Sequence, residues 1–407
     1  MNAAYRPYDF DYASAPTSTP YYIIDRALLR KNMRLLKRVQ DEADCRILLA
    51  LKAFSTWGFF DEMESFLAGF AASSLNEARL GCEKFNVNGT KDAHVYSPAY
   101  SADELRGLCK YCNHIVFNSL EQFRKFRPII EDADHKIQVG LRVNPEYSEV
   151  ALEIYNPCTS RSRFGVRLDV LLEAGEDALD GIDGFHFHTM CQQGADVLQR
   201  TLKVVCERFE RFFPRLSWIN FGGGHHITRE GYNVERLIQL VRDFRKRYGL
   251  KVFLEPGEAH VFRSGFLVAT VLDVVKNSHG LDVGIVDASA TAHMPDVLEM
   301  PYVPEIVGAR VAVEDPETPL EEGFYKYLLG CKTCLSGDVI GEYQFLRPLQ
   351  IGDRLVFEDM AQYTVCKNTT FNGVPLPSIV SCDSEKPGGD FRVLRQFQYE
   401  DFETRLS

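Results

Sequence analysis

Residues Cys45-Arg46-Ile47-Leu48-Leu49-Ala50-Leu51-Lys52-Ala53 place one lysine at the end of an almost wholly apolar run. The run is short and rich in Leu and Ile, the pattern of a strand buried on both faces. An ammonium there costs several kcal/mol unless it is paired, or unless the amine is neutral and bonded to something else. A desolvated lysine has a lowered pKa and forms Schiff bases with aldehydes, including pyridoxal phosphate (PLP). The plain alternative is a lysine just past a strand end, reaching to water. Three other clusters follow apolar runs. Phe221-Gly222-Gly223-Gly224-His225 leads toward a helix. Glycines there let backbone N–H groups converge on a phosphate, helped by a helix N-terminus, or else make only a tight turn. The spacing is not the dinucleotide G-x-G-x-x-G. Leu254-Glu255-Pro256-Gly257-Glu258 carries a glutamate that, once buried, needs a cationic partner, either the ring nitrogen of bound PLP or a neighbouring Arg or Lys. In Phe185-His186-Phe187-His188 the two histidines share a side of an alternating strand. They could stack on an aromatic cofactor, pack, or, with Glu255, ligate a metal as in a barrel hydrolase.

These residues need elements to hold them. Short apolar runs at Ile47–Ala53, Phe70–Ser74, His94–Pro98, His114–Ser119, Ile137–Pro145, Gly184–Thr189, Ser217–Gly223 and Lys251–Gly257 alternate with segments of helical period, among them Phe59–Leu67, Leu120–Ile129, Val197–Phe213 and Val234–Tyr248. Ser74…Glu77, Ser101…Glu104 and Ser119…Gln122 have the spacing of helix N-caps just after a strand. Eight strand–helix units predict an α/β fold, a (β/α)₈ barrel, with a doubly wound sheet as the alternative. The chemistry-bearing residues fall at the C-terminal strand ends, where barrel active sites form. After about Ser264 the chain becomes β-rich, with strands near Phe266–Val275, Asp282–Ala288, Ile306–Val311 and Arg354–Phe357. The predicted domains are a barrel over 27–264 and a mainly β domain over 265–407, which the N-terminal segment 1–26, with its strand Tyr21–Ile24, joins.

The bulk numbers narrow the partners. Net charge is −11 over 407 residues, which argues against nucleic acid or an anionic membrane and favours cationic small molecules. No apolar stretch approaches membrane-spanning length, and Met1 to Pro20 lacks a signal-peptide pattern, so a cytoplasmic protein is expected. Eleven cysteines, an odd number, suit a reducing compartment. The pairs Cys109/Cys112 and Cys331/Cys334 lack the compact spacing of a zinc site; the first is expected to pack on a helix.

Taken in order, Leu51-Lys52, His188, Gly222-Gly223-Gly224 and Glu255-Pro256-Gly257 resemble the fold-III PLP-dependent decarboxylases, the group of the ornithine/arginine and diaminopimelate decarboxylases, whose barrel is like that of alanine racemase. Cys331-Lys332-Thr333-Cys334-Leu335-Ser336-Gly337-Asp338 resembles the family's Cys-(Asp/Glu)-Ser-Gly-Asp segment. Ala361-Gln362-Tyr363-Thr364 and Thr370-Phe371-Asn372-Gly373 resemble its Gly-Ala-Tyr and Phe-Asn-Gly motifs. The likeness runs from Thr19 to about Ile379. It implies that Lys52 bonds the cofactor aldehyde, His188 stacks on the ring and Glu255 pairs with its nitrogen. It further implies that Gly222, Gly223, Gly224, Gly257 and Tyr363 hold the phosphate and that Arg142 approaches the ring hydroxyl. Cys334, supplied across the interface of an obligate homodimer, would return a proton to the substrate carbon. No metal is expected. A racemase would need a second acid–base group on the opposite face, and a silent regulator should have lost Lys52.

The departures point to a substrate. Where the family has arginine after Glu-Pro-Gly this chain has Glu258; the acidic residue after the cysteine is Leu335; Leu-Tyr-Asp is Leu298-Glu299-Met300; the serine three after the stacking histidine is Cys191. Arginine suits the distal carboxylate of diaminopimelate. Glutamate there sets like charges together, which is unfavourable in a desolvated site, whereas a cationic tail reverses the sign. The pattern, including Ala290-Thr291-Ala292-His293-Met294-Pro295-Asp296, most resembles the bacterial carboxynorspermidine/carboxyspermidine decarboxylases. That resemblance implies a cationic amino-acid substrate whose ammonium groups meet Glu258 and Asp296, helped by Glu299. Ornithine or diaminopimelate decarboxylation is the alternative.

Overall fold

The computed structural model describes residues 9–312 and 323–407. Residues 1–8 and 313–322, included in the domains read from the sequence, lie outside that description. The chain divides into two compact units, Arg30–His260 and the N-terminal segment through Leu29 together with Val261–Ser407.

The first unit holds a closed barrel of eight parallel strands. They are β2 (Arg46–Ala50), β3 (Gly69–Ala72), β4 (Asp92–Tyr96), β5 (His114–Phe117), β6 (Gln138–Arg142), β7 (Gly184–His186), β8 (Trp218–Asn220) and β9 (Lys251–Leu254), after β1 (Tyr21–Asp25) of the other unit. Closure comes from β2 pairing with β9 at Arg46↔Phe253 and Ile47↔Leu254. The eight-strand reading holds and the doubly wound sheet is excluded, but the strands are shorter than the apolar runs. The first ends at Ala50 rather than Ala53, the seventh at Asn220 rather than Gly223, and the eighth at Leu254 rather than Gly257. The backbone leaves the ladder before the apolar residues stop, because those last residues are buried by the connections that follow. Segment 59–67, read as helical, forms a 3₁₀ turn at Trp57–Glu62. The three serine caps are present, each side chain accepting from the backbone N–H of Glu77, Glu104 or Gln122. The helix after Ser101 stops at Leu108, so Cys109 only caps it and Cys112 lies beyond; both are buried.

Inside the barrel, Trp218 packs with Leu48, Val116 and Phe253, beside a stacked pair of imidazoles, His94 and His114, with ring centroids 4.0 Å apart. Two glycines on neighbouring strands admit the indole. A Cβ on Gly184 would lie 2.0 Å from Trp218 Cδ2, and one on Gly140 would lie 2.5 Å from Cη2. The barrel floor is therefore solid, and chemistry is left to the strand ends.

The second unit is a nine-stranded sheet in which β1 lies between β10 (Gly265–Val275) and β16 (Ser378–Cys382). The N-terminal strand thus joins this unit, antiparallel to β10 and parallel to β16. Alternate residues of β10 serve two cores. Phe266 and Val268 pack with Tyr21, Ile23 and Val380, whereas Leu267, Ala269 and Val271 pack with Tyr327, Tyr343 and Phe357. The remaining strands are β11 (Asp282–Val286), β12 (Ala309–Val311), β13 (Tyr325–Gly330), β14 (Val339–Phe345), β15 (Arg354–Phe357) and β17 (Arg392–Arg395). Strand β12 begins three residues later than the sequence reading, with Ile306 contributing only a bridge to Phe357.

Candidate active site

In the barrel, the end of β2 carries Lys52 two residues past the ladder. Solvent reaches its side chain at the barrel mouth. Protein atoms nevertheless crowd it, and that desolvation pushes the amine below its ordinary value, with Glu255 pulling it back up and Arg142 pushing it further down. Desolvation and Arg142 favour an amine that can be deprotonated and attack a carbonyl.

Glu255 follows β9 directly. Asn220, the last residue of β8, donates from Nδ2 to Glu255 Oε1 at 2.6 Å, and its Oδ1 accepts the Gly222 N–H at 2.9 Å. His186, the last residue of β7, places Nε2 3.4 Å from Glu255 Oε2. Burial raises the Glu255 carboxyl, but His186, Lys52 and Asn220 outweigh it and hold the group ionised. Among the described residues no Lys or Arg forms an ion pair with Glu255. Lys52 and His186 favour its charge without an ion pair to Lys or Arg, so the site is suited to a cationic ring nitrogen.

His188 accepts the Gly223 N–H at its Nδ1, 3.1 Å away, which puts the ring proton on Nε2. Burial, then Lys52 and Arg142, keep this imidazole neutral, well below its usual range. His186, His188 and Glu255 have potential ligand atoms within 4.8 Å of one another, so the metal alternative is geometrically real. The Gly223 bond, however, already occupies the unprotonated nitrogen of His188.

The glycines are required by close packing. A Cβ on Gly222 would lie 2.4 Å from Phe187 O, on Gly223 2.4 Å from Glu255 O, and on Gly224 2.0 Å from Met190 O; Gly222 and Gly224 also have φ of +70° and +83°. The expected approach to a helix is not found, since the next helix is Val234–Tyr248, ten residues beyond Gly224. The N–H groups of Gly222 and Gly223 are committed to Asn220 and His188. A phosphate here would draw on the chain from Gly224 onward. Gly257 heads the short turn that carries Glu258, whose oxygens accept from Gln192 Nε2 at 3.0 and 2.9 Å.

Arg142, at the end of β6, is buried with its guanidinium 4.5 Å from the ring centroids of both Tyr96 and Phe164, and it donates to the His188 carbonyl at 3.3 Å. Sequence reading missed Asn220, His186 as the partner of Glu255, Gln192, and this aromatic clamp. The only available signal was a polar residue at the last position of β7 and β8.

In the sheet unit, Cys334 is exposed and its N–H donates to Asn372 Oδ1 at 2.6 Å. Its loop is tied down by buried Asp338, which accepts from Ser289 Oγ at 2.8 Å, Thr333 Oγ1 at 2.5 Å and Thr291 N at 2.9 Å. Tyr363 sits at a φ of +55°, and four residues on Lys367 forms ion pairs with both Asp296 and Glu299. These two carboxylates, expected to face a substrate, hold a lysine of the protein itself.

The chain has relatives among known proteins. Residues 22–361 match the model of the pyridoxal-dependent decarboxylase, C-terminal sheet domain, family. The carboxynorspermidine/carboxyspermidine decarboxylase of Campylobacter jejuni is 42% identical over 95% of this chain and 98% of its own length. The carboxyaminopropylagmatine decarboxylase of Synechocystis is 41% identical, covering 95% of each chain. A crystal structure of carboxynorspermidine decarboxylase complexed with norspermidine, from Campylobacter jejuni, superposes with a TM-score of 0.87 at 40% identity, covering 96% of this chain and all of that one. A lysine, a neutral histidine, a glycine turn and an ionised glutamate gathered at one barrel mouth, together with these likenesses, place the chain in the PLP-dependent decarboxylase family.

Proposed function

We propose that this enzyme decarboxylates carboxynorspermidine and carboxyspermidine to norspermidine and spermidine in polyamine biosynthesis. The observation that carries the substrate reading is Glu258, a carboxylate gripped by Gln192 just past β9 where a carboxylate-binding arginine would serve diaminopimelate. Bound PLP supplies an electron sink for the pair released when carbon dioxide leaves. Lys52 Nζ would hold its aldehyde, Glu255 would keep a proton at its ring nitrogen, and His188 would cover one face of the ring. Arg142 would approach the ring hydroxyl, and the phosphate would be held by the turn of Gly222, Gly223 and Gly224, through the N–H groups from Gly224 onward, together with Gly257 and Tyr363. Cys334 Sγ returns a proton to the α-carbon. Glu258 receives an ammonium of the substrate tail, while Asp296 and Glu299 act through a cluster whose charge Lys367 partly cancels.

In this reading the protein is a cytoplasmic homodimer, the barrel over 27–264 meeting the β domain (265–407 with segment 1–26) of a second copy. An odd count of eleven cysteines supports a reducing compartment. Among the described residues no helix is long and apolar enough to cross a membrane.

The Synechocystis relative favours a second reading, carboxyaminopropylagmatine, whose tail ends in a guanidinium. Carbon dioxide release from carboxynorspermidine, carboxyspermidine, carboxyaminopropylagmatine, diaminopimelate and ornithine decides among them. Turnover is expected to favour a polyamine precursor, and Glu258→Arg should raise its KM by about tenfold or more. Preference for diaminopimelate would overturn the charge argument.

A further inference from the structure

His186 is almost completely buried at the end of β7, and neither ring nitrogen makes a hydrogen bond. Its Nε2 faces Glu255 Oε2 at 3.4 Å, while Asn220 holds the other oxygen at 2.6 Å. The carboxylate is clamped from β8 and only faced from β7. A carboxylate stripped of water takes up a proton unless fixed donors replace its hydration, and Asn220 covers one oxygen alone.

We propose that His186 is a positioning residue, a neutral imidazole carrying its proton on Nε2 that holds Glu255 as a carboxylate and so keeps the proton on the cofactor's ring nitrogen. The inference rests on the reading that Glu255 meets that nitrogen. Neutrality matters, because a cationic imidazole would satisfy Glu255 itself and compete with the ring. The surroundings enforce it, since burial pushes the His186 imidazole below its ordinary value, and Arg142 and Lys52 add to that push against the pull of Glu255. The Tyr96 ring, 5.4 Å away and tilted 33°, fixes the imidazole plane from the side of β4.

The holoenzyme carrying PLP labelled with ¹⁵N in the ring tests this, because the nitrogen chemical shift reads protonation directly. His186→Phe keeps a planar ring without the donor. It is expected to move the resonance toward unprotonated pyridine and lower kcat about tenfold or more, with KM changed less than about threefold. His186→Gln, which restores an N–H donor, should recover most of both signals. Glu255→Gln is the control. If it moves the resonance while His186→Phe leaves resonance and kcat at wild-type values, the inference fails and the Glu255 reading stands. If neither variant moves it, the Glu255 reading fails as well. Should His186→Phe not retain cofactor, His186→Asn, too short to bring a donor to Glu255, gives the same comparison.

Discussion

The two units hold their candidate groups by different means. In the barrel, Arg142, His186, Asn220 and Glu255 sit on the last residue of a strand or the first beyond it, and Lys52 and His188 two residues past. Parallel pairing on both sides sets their backbone, and Asn220 of β8 and His186 of β7 complete the setting of Glu255. In the sheet unit, Cys334, Tyr363, Asp296 and Glu299 lie on loops or single helical turns. Their order comes from a few side-chain anchors, namely Asp338 under the Cys334 loop, Asn372 on its backbone and Lys367 between two carboxylates. A ladder makes a site robust to single changes outside it, whereas a site hung on anchors fails when one anchor goes.

The largest expected effect lies in the barrel. Lys52→Ala should lower turnover by on the order of a thousandfold or more, since it removes the covalent attachment. Borohydride reduction of the wild-type holoenzyme, followed by peptide mass spectrometry, should find the pyridoxyl group on Lys52. A label at another lysine would break the assignment.

The ladder itself is probed by Gly184→Ala, whose added methyl meets the Trp218 indole at 2.0 Å. Urea unfolding should show a loss of about 3 kcal/mol, and an unchanged midpoint would mean that the floor yields more easily than its packing indicates.

Asp338→Ala strips the acceptor from two hydroxyls and one backbone N–H. A stability loss of about 1–3 kcal/mol is expected, together with lower kcat at unchanged cofactor binding, because Cys334 loses its support while the barrel keeps its own. Cofactor binding that weakened in parallel would blur the contrast between the units.

The smallest effect belongs to Lys367→Met. The ion pairs are partly solvated, with side-chain exposures of 33% for the lysine, 20% for Asp296 and 54% for Glu299, so a change of about 1 kcal/mol or less is expected. A double-mutant cycle with Asp296→Asn measures it, and a coupling well above that would show Lys367 to be a principal anchor of the loop.

Much of the barrel was legible because its signals are local. Apolar runs of strand length alternating with capped helices predict eight parallel strands, and in a barrel the polar residues at the ends of those runs lie at one rim. Strand ends were overestimated, as at Leu51–Ala53, because burial by the following loop looks like burial in a ladder. The triglycine was read as a helix entry, yet two of its N–H groups are spent on Asn220 and His188. Those partners lie 2 and 35 positions away, and no spacing rule announces them. Asp296 and Glu299 were assigned to a substrate because Lys367, about 70 positions on, cannot be placed beside them by periodicity.

By itself the sequence determined which chemistry is available: an amine after a buried strand, a neutralisable carboxylate, a glycine turn and a thiol on a polar loop, in an order that specifies a barrel and a sheet. These follow from near-neighbour sterics and burial, which act along the chain. Only the tertiary structure decided the state of each group: Glu255 ionised between Asn220 and His186, His188 neutral on Gly223, and Asp296 and Glu299 already charge-compensated. Protonation and pairing depend on what stands within a few ångströms, and closing the barrel and the sheet is what brings those distant residues there.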